Sequence, residues 1–104
     1  MSDTSVETVS KTRTQLREPG LYDVVFYNDQ KTHYDFVVLI LMHLFGKEYN
    51  EAVDLTNLIH ERGKSAVATY AYEIAATKRD EVTSTARANG HPLRVEIEPH
   101  STQG

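Results

Sequence analysis

The stretch LYDVVFYNDQKTHYDFVVLILMHLFG, residues 21–46, changes its hydrophobic period once, and that change decides the fold. From Leu21 to Tyr27 it is β-branched and aromatic, the composition of a strand, and Asn28-Asp29 stops it. From Asp35 the apolar residues fall at helical spacing. Phe36, Val37, Ile40, Leu41, Leu44 and Phe45 form one stripe, and Gly46 is placed to end the helix.

Working outward, a second helix is expected from about Glu48 to Arg62, with Ala52, Leu55, Thr56 and Ile59 on one face and Gly63 as its stop. Ser65 to Tyr70 reads as a second strand. Glu73 to Asn89 reads as a third helix that turns Ile74, Ala75, Val82 and Ala86 inward and ends at Gly90. Leu93, Val95 and Ile97 alternate with Arg94, Glu96 and Glu98, which defines a half-buried strand. The order is strand, helix, helix, strand, helix, strand. Three strands with one wet face need a helical layer on the other. The expected class is α+β: a two-layer sandwich with a three-stranded antiparallel sheet packed against three helices.

This body spans residues 21–99. Residues 1–20 are rich in Ser, Thr and charge, contain only Val6, Val9 and Leu16 as larger aliphatics, and close with Pro19-Gly20. Such a stretch cannot bury enough apolar surface to offset its ordering entropy, so it reads as a flexible N-terminal extension. Residues 100–104 read as a short C-terminal tail.

Composition narrows the function. At 104 residues there is room for one core and no second domain. The formal charge of −4, with no stripe of basic residues, argues against nucleic acid as a partner. The apolar run from Phe36 to Met42 is too short to span a bilayer, so no membrane partner is expected either. The first twenty residues lack the apolar core of a cleavable signal peptide. With no cysteine, disulfides and thiolate sites are excluded, which suits a reducing cytoplasm. Among the five histidines, His33, His43, His60, His91 and His100, none lies four residues from another, and no His-Glu-x-x-His run occurs. No metal or cofactor is expected. Ser65 and Ser84 lack a nucleophile-elbow context and no glycine-rich loop cradles phosphate, so an enzyme is not expected.

Four segments carry polar chemistry. Residues 28–32 can be a polar turn in which Asn28 and Asp29 satisfy local backbone groups and Thr32 or Asp35 caps the helix. His60 can be an exposed histidine favoured by a helix C-terminus. His91-Pro92-Leu93 can be a loop whose proline fixes the entry to the last strand. The stretch from Glu73 to Lys78 can be a solvated helix face.

Together these segments resemble the ClpS family of adaptors, from about Leu21 to Pro99. The residues that carry the resemblance are Asn28-Asp29, Thr32, Phe36-Val37, Ala52, His60, Gly63-Lys64, Ala75, Thr77-Lys78, Ala86-Arg87, His91-Pro92-Leu93 and Ile97-Glu98. The resemblance implies an adaptor that binds the exposed first residue of N-degron substrates, typically Leu, Phe, Tyr or Trp, and delivers it to a ClpA- or ClpC-type AAA+ unfoldase. It implies that Asn28, Asp29 and His60 take the α-amino group. Val37, Thr56, Ile59 and Leu93 would wall the side-chain pocket, with Thr32 and Tyr34 at its rim. Glu73 and Lys78 would face the unfoldase's N-terminal domain, and residues 1–20 would serve delivery. The family precedent is a monomer.

An α-ammonium group has three donors and one charge. Asn28 offers an amide oxygen, Asp29 a carboxylate and neutral His60 a ring nitrogen, whereas a protonated His60 would repel it. Four positions depart from the family pattern: Gln30 stands for a second acid, Tyr34 and Thr56 for methionines, and Ala76 for a glutamate. The expectation is that Thr56 enlarges or reshapes the pocket while Tyr34 partly refills it. A competing expectation is a regulatory module of the same fold that engages the unfoldase without cargo.

Overall fold

β1 (Leu21–Tyr27) is the central strand of a three-stranded sheet, with β2 (Lys64–Ala71) and β3 (Arg94–Pro99) antiparallel on its two sides. Between β1 and β2 run α1 (Tyr34–Phe45) and α2 (Tyr49–Arg62), and α3 (Tyr72–Ala88) joins β2 to β3. The computed structural model describes residues 20–101, so the expected extension and tail fall largely outside the described residues.

Alternation sorts the strands into two faces. Tyr22, Val24 and Phe26 of β1 and Val95 of β3 point to the helices and are buried. Asp23, Val25 and Tyr27 point the other way, opposite Glu98, Glu96 and Arg94. Pairing with β2 shifts between Val24 and Val25, which oppose Ala68 and Ala66, so Val67 is the extra residue of a bulge. Val67 is 4 % exposed and joins the core.

The helical layer closes the core with Val37, Val38, Ile40 and Leu41 of α1, Ala52 and Ile59 of α2, and Ala75, Val82 and Ala86 of α3. Phe26, Leu41, Leu93, Val24 and Val82 are the largest side chains buried completely or nearly so. Phe26 meets Phe45 edge-on, with ring centroids 5.7 Å apart. At about 2–5 kcal/mol per large side chain truncated to alanine, these residues hold the sandwich together.

Three local expectations need correction. Ile74 is 52 % exposed, because the inward stripe of α3 is set by Ala75, Val82 and Ala86, and its neighbour Ile74 lies about 100° around the helix. Neither Thr32 nor Asp35 caps α1: the N-cap is His33, whose side chain makes no capping bond, while Thr32 is committed to Asp29. Leu93 precedes β3 rather than opening it. The glycine stops stand where expected. Gly46 and Gly63 end α1 and α2 with φ of 65° and 91°, a region costly for any residue with a Cβ.

Candidate functional site

The C-terminal end of β1 meets the last turn of α2. The backbone N–H of Asn28 donates to the carbonyl of Gly63 at 2.9 Å, and the Gly63 N–H donates to Ile59 at 2.9 Å. This chain of two bonds brings Asn28 to the turn that carries His60. On α2, Thr56, Ile59 and His60 are spaced i, i+3 and i+4 and so share one face.

The loop between β1 and α1 is organised by one carboxylate. Asp29 Oδ1 accepts the N–H of Lys31 and of Thr32, both at 2.7 Å, and Oδ2 accepts the Thr32 hydroxyl at 2.8 Å. Burial pushes the Asp29 carboxyl up, but the bonds from Thr32 and Lys31 and the nearby His91 outweigh it and hold it below the usual aspartate value. The group is anionic at neutral pH. A carboxylate has about four lone-pair sites, so the loop leaves room for one more donor, on Oδ2.

Leu93 is held from the far side. α3 ends in a turn in which Gly90 N–H donates to Arg87 and His91 N–H to Ala86, at 3.0 and 2.8 Å. Arg87 Nη1 then donates to the carbonyls of His91 and Leu93, at 3.0 and 2.9 Å. The His91 ring packs on Phe36, 4.3 Å between centroids, which joins this loop to α1.

These elements enclose a cavity of about 420 Å³ lined by Tyr27, Asn28, Asp29, Gln30, Thr32, Tyr34, Val37, Thr56, Ile59, His60 and Leu93. Its floor is apolar and closed: Val37, Thr56, Ile59 and Leu93 are 6, 4, 4 and 2 % exposed. Thr56 adds little polarity there, because its hydroxyl donates back to Ala52 O at 2.8 Å. Its rim is polar and open, with Asn28, Gln30, Tyr34 and His60 exposed. The volume falls in the range of small-ligand sites, roughly 300–1,000 Å³. A buried apolar floor beside an anion and neutral acceptors suits a ligand that is greasy at one end and cationic at the other.

The structure thus gathers around one cavity all the residues expected for the amino group and the side-chain pocket. Tyr27 and Gln30 line it too and were not expected to. Tyr27 is the last residue of β1, directly before Asn28, and that adjacency was the available signal. Its ring lies between Arg94 and Lys64, 4.1 and 5.4 Å from the centroid, and its hydroxyl donates to Glu98 at 2.6 Å. Glu73 and Lys78 lie on α3, away from the cavity. Lys78 Nζ donates to Leu44 O at 2.6 Å, in the last turn of α1, and sits 3.7 Å from Glu81. Among the described residues no group of three or more metal-ligating side chains is assembled, and no helix is long and apolar enough to cross a membrane.

Fold and cavity together describe a small α+β binding module with a polar-rimmed apolar hollow at the end of its sheet. Comparison with known proteins makes this specific. The sequence model of the family described as "ATP-dependent Clp protease adaptor protein ClpS" matches residues 17–96. The ClpS adapter protein of Helicobacter hepaticus is 42% identical over 95 residues, covering 91% of this chain and 94% of that protein. That of Myxococcus xanthus is 38% identical over 97 residues, covering 93% and 91%. Among solved structures, Agrobacterium tumefaciens ClpS2 bound to L-phenylalaninamide superposes with a TM-score of 0.77 at 30% identity, covering 80% of this chain and all of that one. The chain belongs to the ClpS family of Clp protease adaptors.

Proposed function

We propose that this adaptor binds the first residue of N-degron substrates and delivers them to a ClpA- or ClpC-type AAA+ unfoldase. The side chain of a Leu, Phe, Tyr or Trp enters the floor of Val37, Thr56, Ile59 and Leu93. Its α-ammonium meets Asn28, Asp29 and His60. The observation that carries the reading is the single cavity that joins that closed apolar floor to an ionised carboxylate at the rim. The solved relative bound to L-phenylalaninamide supports it, since that ligand has a free amine and an aromatic side chain.

Charge-assisted hydrogen bonds contribute about 1.5–3 kcal/mol each and burial of a Leu or Phe side chain about 1.5–3 kcal/mol. After association costs, Kd near ~1 μM is expected, weak enough for cargo to be released. The protein itself carries no catalysis in this reading. It acts as a monomer in the cytoplasm, and the Clp partner cleaves.

For the unfoldase we assign Glu73 and Lys78 of α3. Lys78 is bonded to the carbonyl end of α1, so its part is to fix how α1 and α3 present that surface. Residues 1–20 serve delivery. The test is a reconstituted degradation assay with a reporter that begins with Leu or with Gly. Only the Leu reporter is degraded, only with the adaptor present, and deletion of residues 1–20 stops degradation while peptide binding persists. Equal degradation of both reporters contradicts the proposal.

A further inference from the structure

Tyr34 stands between two hollows. It lines the candidate site, and it also lines a second hollow of about 410 Å³ with Asp35, Val38, Leu39, Met42 and Tyr49, on the outer side of α1 and α2. That second hollow is largely apolar and open, with Leu39 51 % and Tyr49 61 % exposed.

Nothing in local structure holds such a ring still. Tyr34 is the first residue of α1, at a helix end whose N-cap side chain makes no capping bond, and it is 43 % exposed. Exposed side chains in such places change rotamer within picoseconds to nanoseconds. One contact opposes this. The Tyr34 hydroxyl donates to Oδ1 of Asn57 at 2.7 Å, across from α1 to α2. Asn57 does not line the cavity, but it follows Thr56, which does.

We propose that Asn57 is a positioning residue for the side-chain pocket: its bond fixes the Tyr34 ring as a wall between the two hollows and thereby limits the size of the first residue accepted. This rests on the N-degron reading of the site. With the bond in place the pocket ends at the ring. With the bond removed the ring turns away and the pocket runs on into the hollow beyond, so a bulky aromatic side chain gains more than a compact one. The sequence difference at Tyr34 then acts as a gate with a latch, and the latch lies 23 residues away.

The experiment has two arms, on the full chain and its Asn57→Ala and Tyr34→Phe variants. Asn57 is exposed and helical, so alanine there leaves the fold intact. In the first arm, three-bond scalar couplings report χ1 of residue 34 without any ligand. The parent shows one rotamer and both variants show averaging. Averaging in the parent, or one rotamer in both variants, overturns the latch.

In the second arm, Kd is measured for peptides beginning with Leu and with Trp. The preference for Leu over Trp falls about three- to tenfold in both variants, the value of one neutral hydrogen bond. Equal weakening of both peptides indicates a merely structural role and overturns the proposal. A parent that binds neither peptide sinks the N-degron reading, while the first arm still decides whether Asn57 holds the ring.

Discussion

Asp29→Asn separates the loop-organising role of this carboxylate from the amine-binding role proposed for it. In the parent, Oδ1 accepts two backbone N–H groups and Oδ2 the Thr32 hydroxyl, all at 2.7–2.8 Å. An asparagine oxygen still accepts both N–H groups. Its amide nitrogen replaces Oδ2, and the Thr32 hydroxyl can rotate to accept from it. The loop therefore survives, at a cost of about 1 kcal/mol, a few degrees in Tm. The amine loses more, because the one lone pair left on Oδ2 disappears along with the charge. Losing a charge-assisted acceptor costs about 1.5–3 kcal/mol, roughly ten- to 150-fold in Kd. The rim is solvated, so the parent's advantage shrinks as salt rises. Fluorescence anisotropy with a labelled peptide that begins with Leu, at low and high salt, measures this. Backbone NMR shifts of residues 29–32 check that the loop is intact. An intact loop together with an unchanged Kd at low salt refutes the role of Asp29 in binding the amine.

Other perturbations follow from the same geometry. Arg87→Gln removes the charged donor that holds the His91 and Leu93 carbonyls. Stability falls by about 1–3 kcal/mol in denaturant titration and peptide Kd weakens severalfold, whereas loss of stability alone contradicts the link to the pocket. Gly63→Ala forces a Cβ onto φ of 91°, with no atom within 4 Å for it to strike, so the cost is backbone alone, about 1–2 kcal/mol. Hydrogen exchange at the Asn28 amide speeds up, because its acceptor is the Gly63 carbonyl. The folded-state pKa of Asp29 is depressed, so the stability its charge adds is fully present above the ordinary aspartate value, about 4, and is lost as pH falls through the depressed one. The Tm difference between the parent and Asp29→Asn is flat above that point and shrinks below it. A difference that shrinks on raising the pH has the wrong sign.

Much of the fold is legible in the sequence because its signals are local and periodic. The switch from period two to period 3.6 between Tyr27 and Phe36, the alternation from Leu93 to Glu98, and glycines at 46, 63 and 90 fix element type and order. Ile74 misleads because it is apolar beside a stripe made largely of alanine, and residue type alone cannot rotate a helix by one position. Val38 is buried yet lies off the stripe read from sequence; it belongs to the core cluster, and α1 packs mainly against α2.

At the site, the resemblance names side chains but not their partners. A carboxylate spent on its own loop and one aimed at a ligand look alike in the string Asn28-Asp29-Gln30-Lys31-Thr32. Arg87 reaches Leu93 around a chain reversal, and Tyr34 reaches Asn57 from another helix. Such bonds depend on tertiary placement. They carry no spacing signature, so only coordinates reveal them.

The proposed function requires recognition of a free amine next to an apolar side chain. Calorimetric titration of the protein with L-phenylalaninamide and with N-acetyl-L-phenylalaninamide addresses that directly, since acetylation removes the charge and leaves the ring. The free amine gives saturable one-to-one binding and the acetylated form gives none. Comparable heats and affinities for the two ligands would mean that Asn28, Asp29 and His60 do not read an N-terminus.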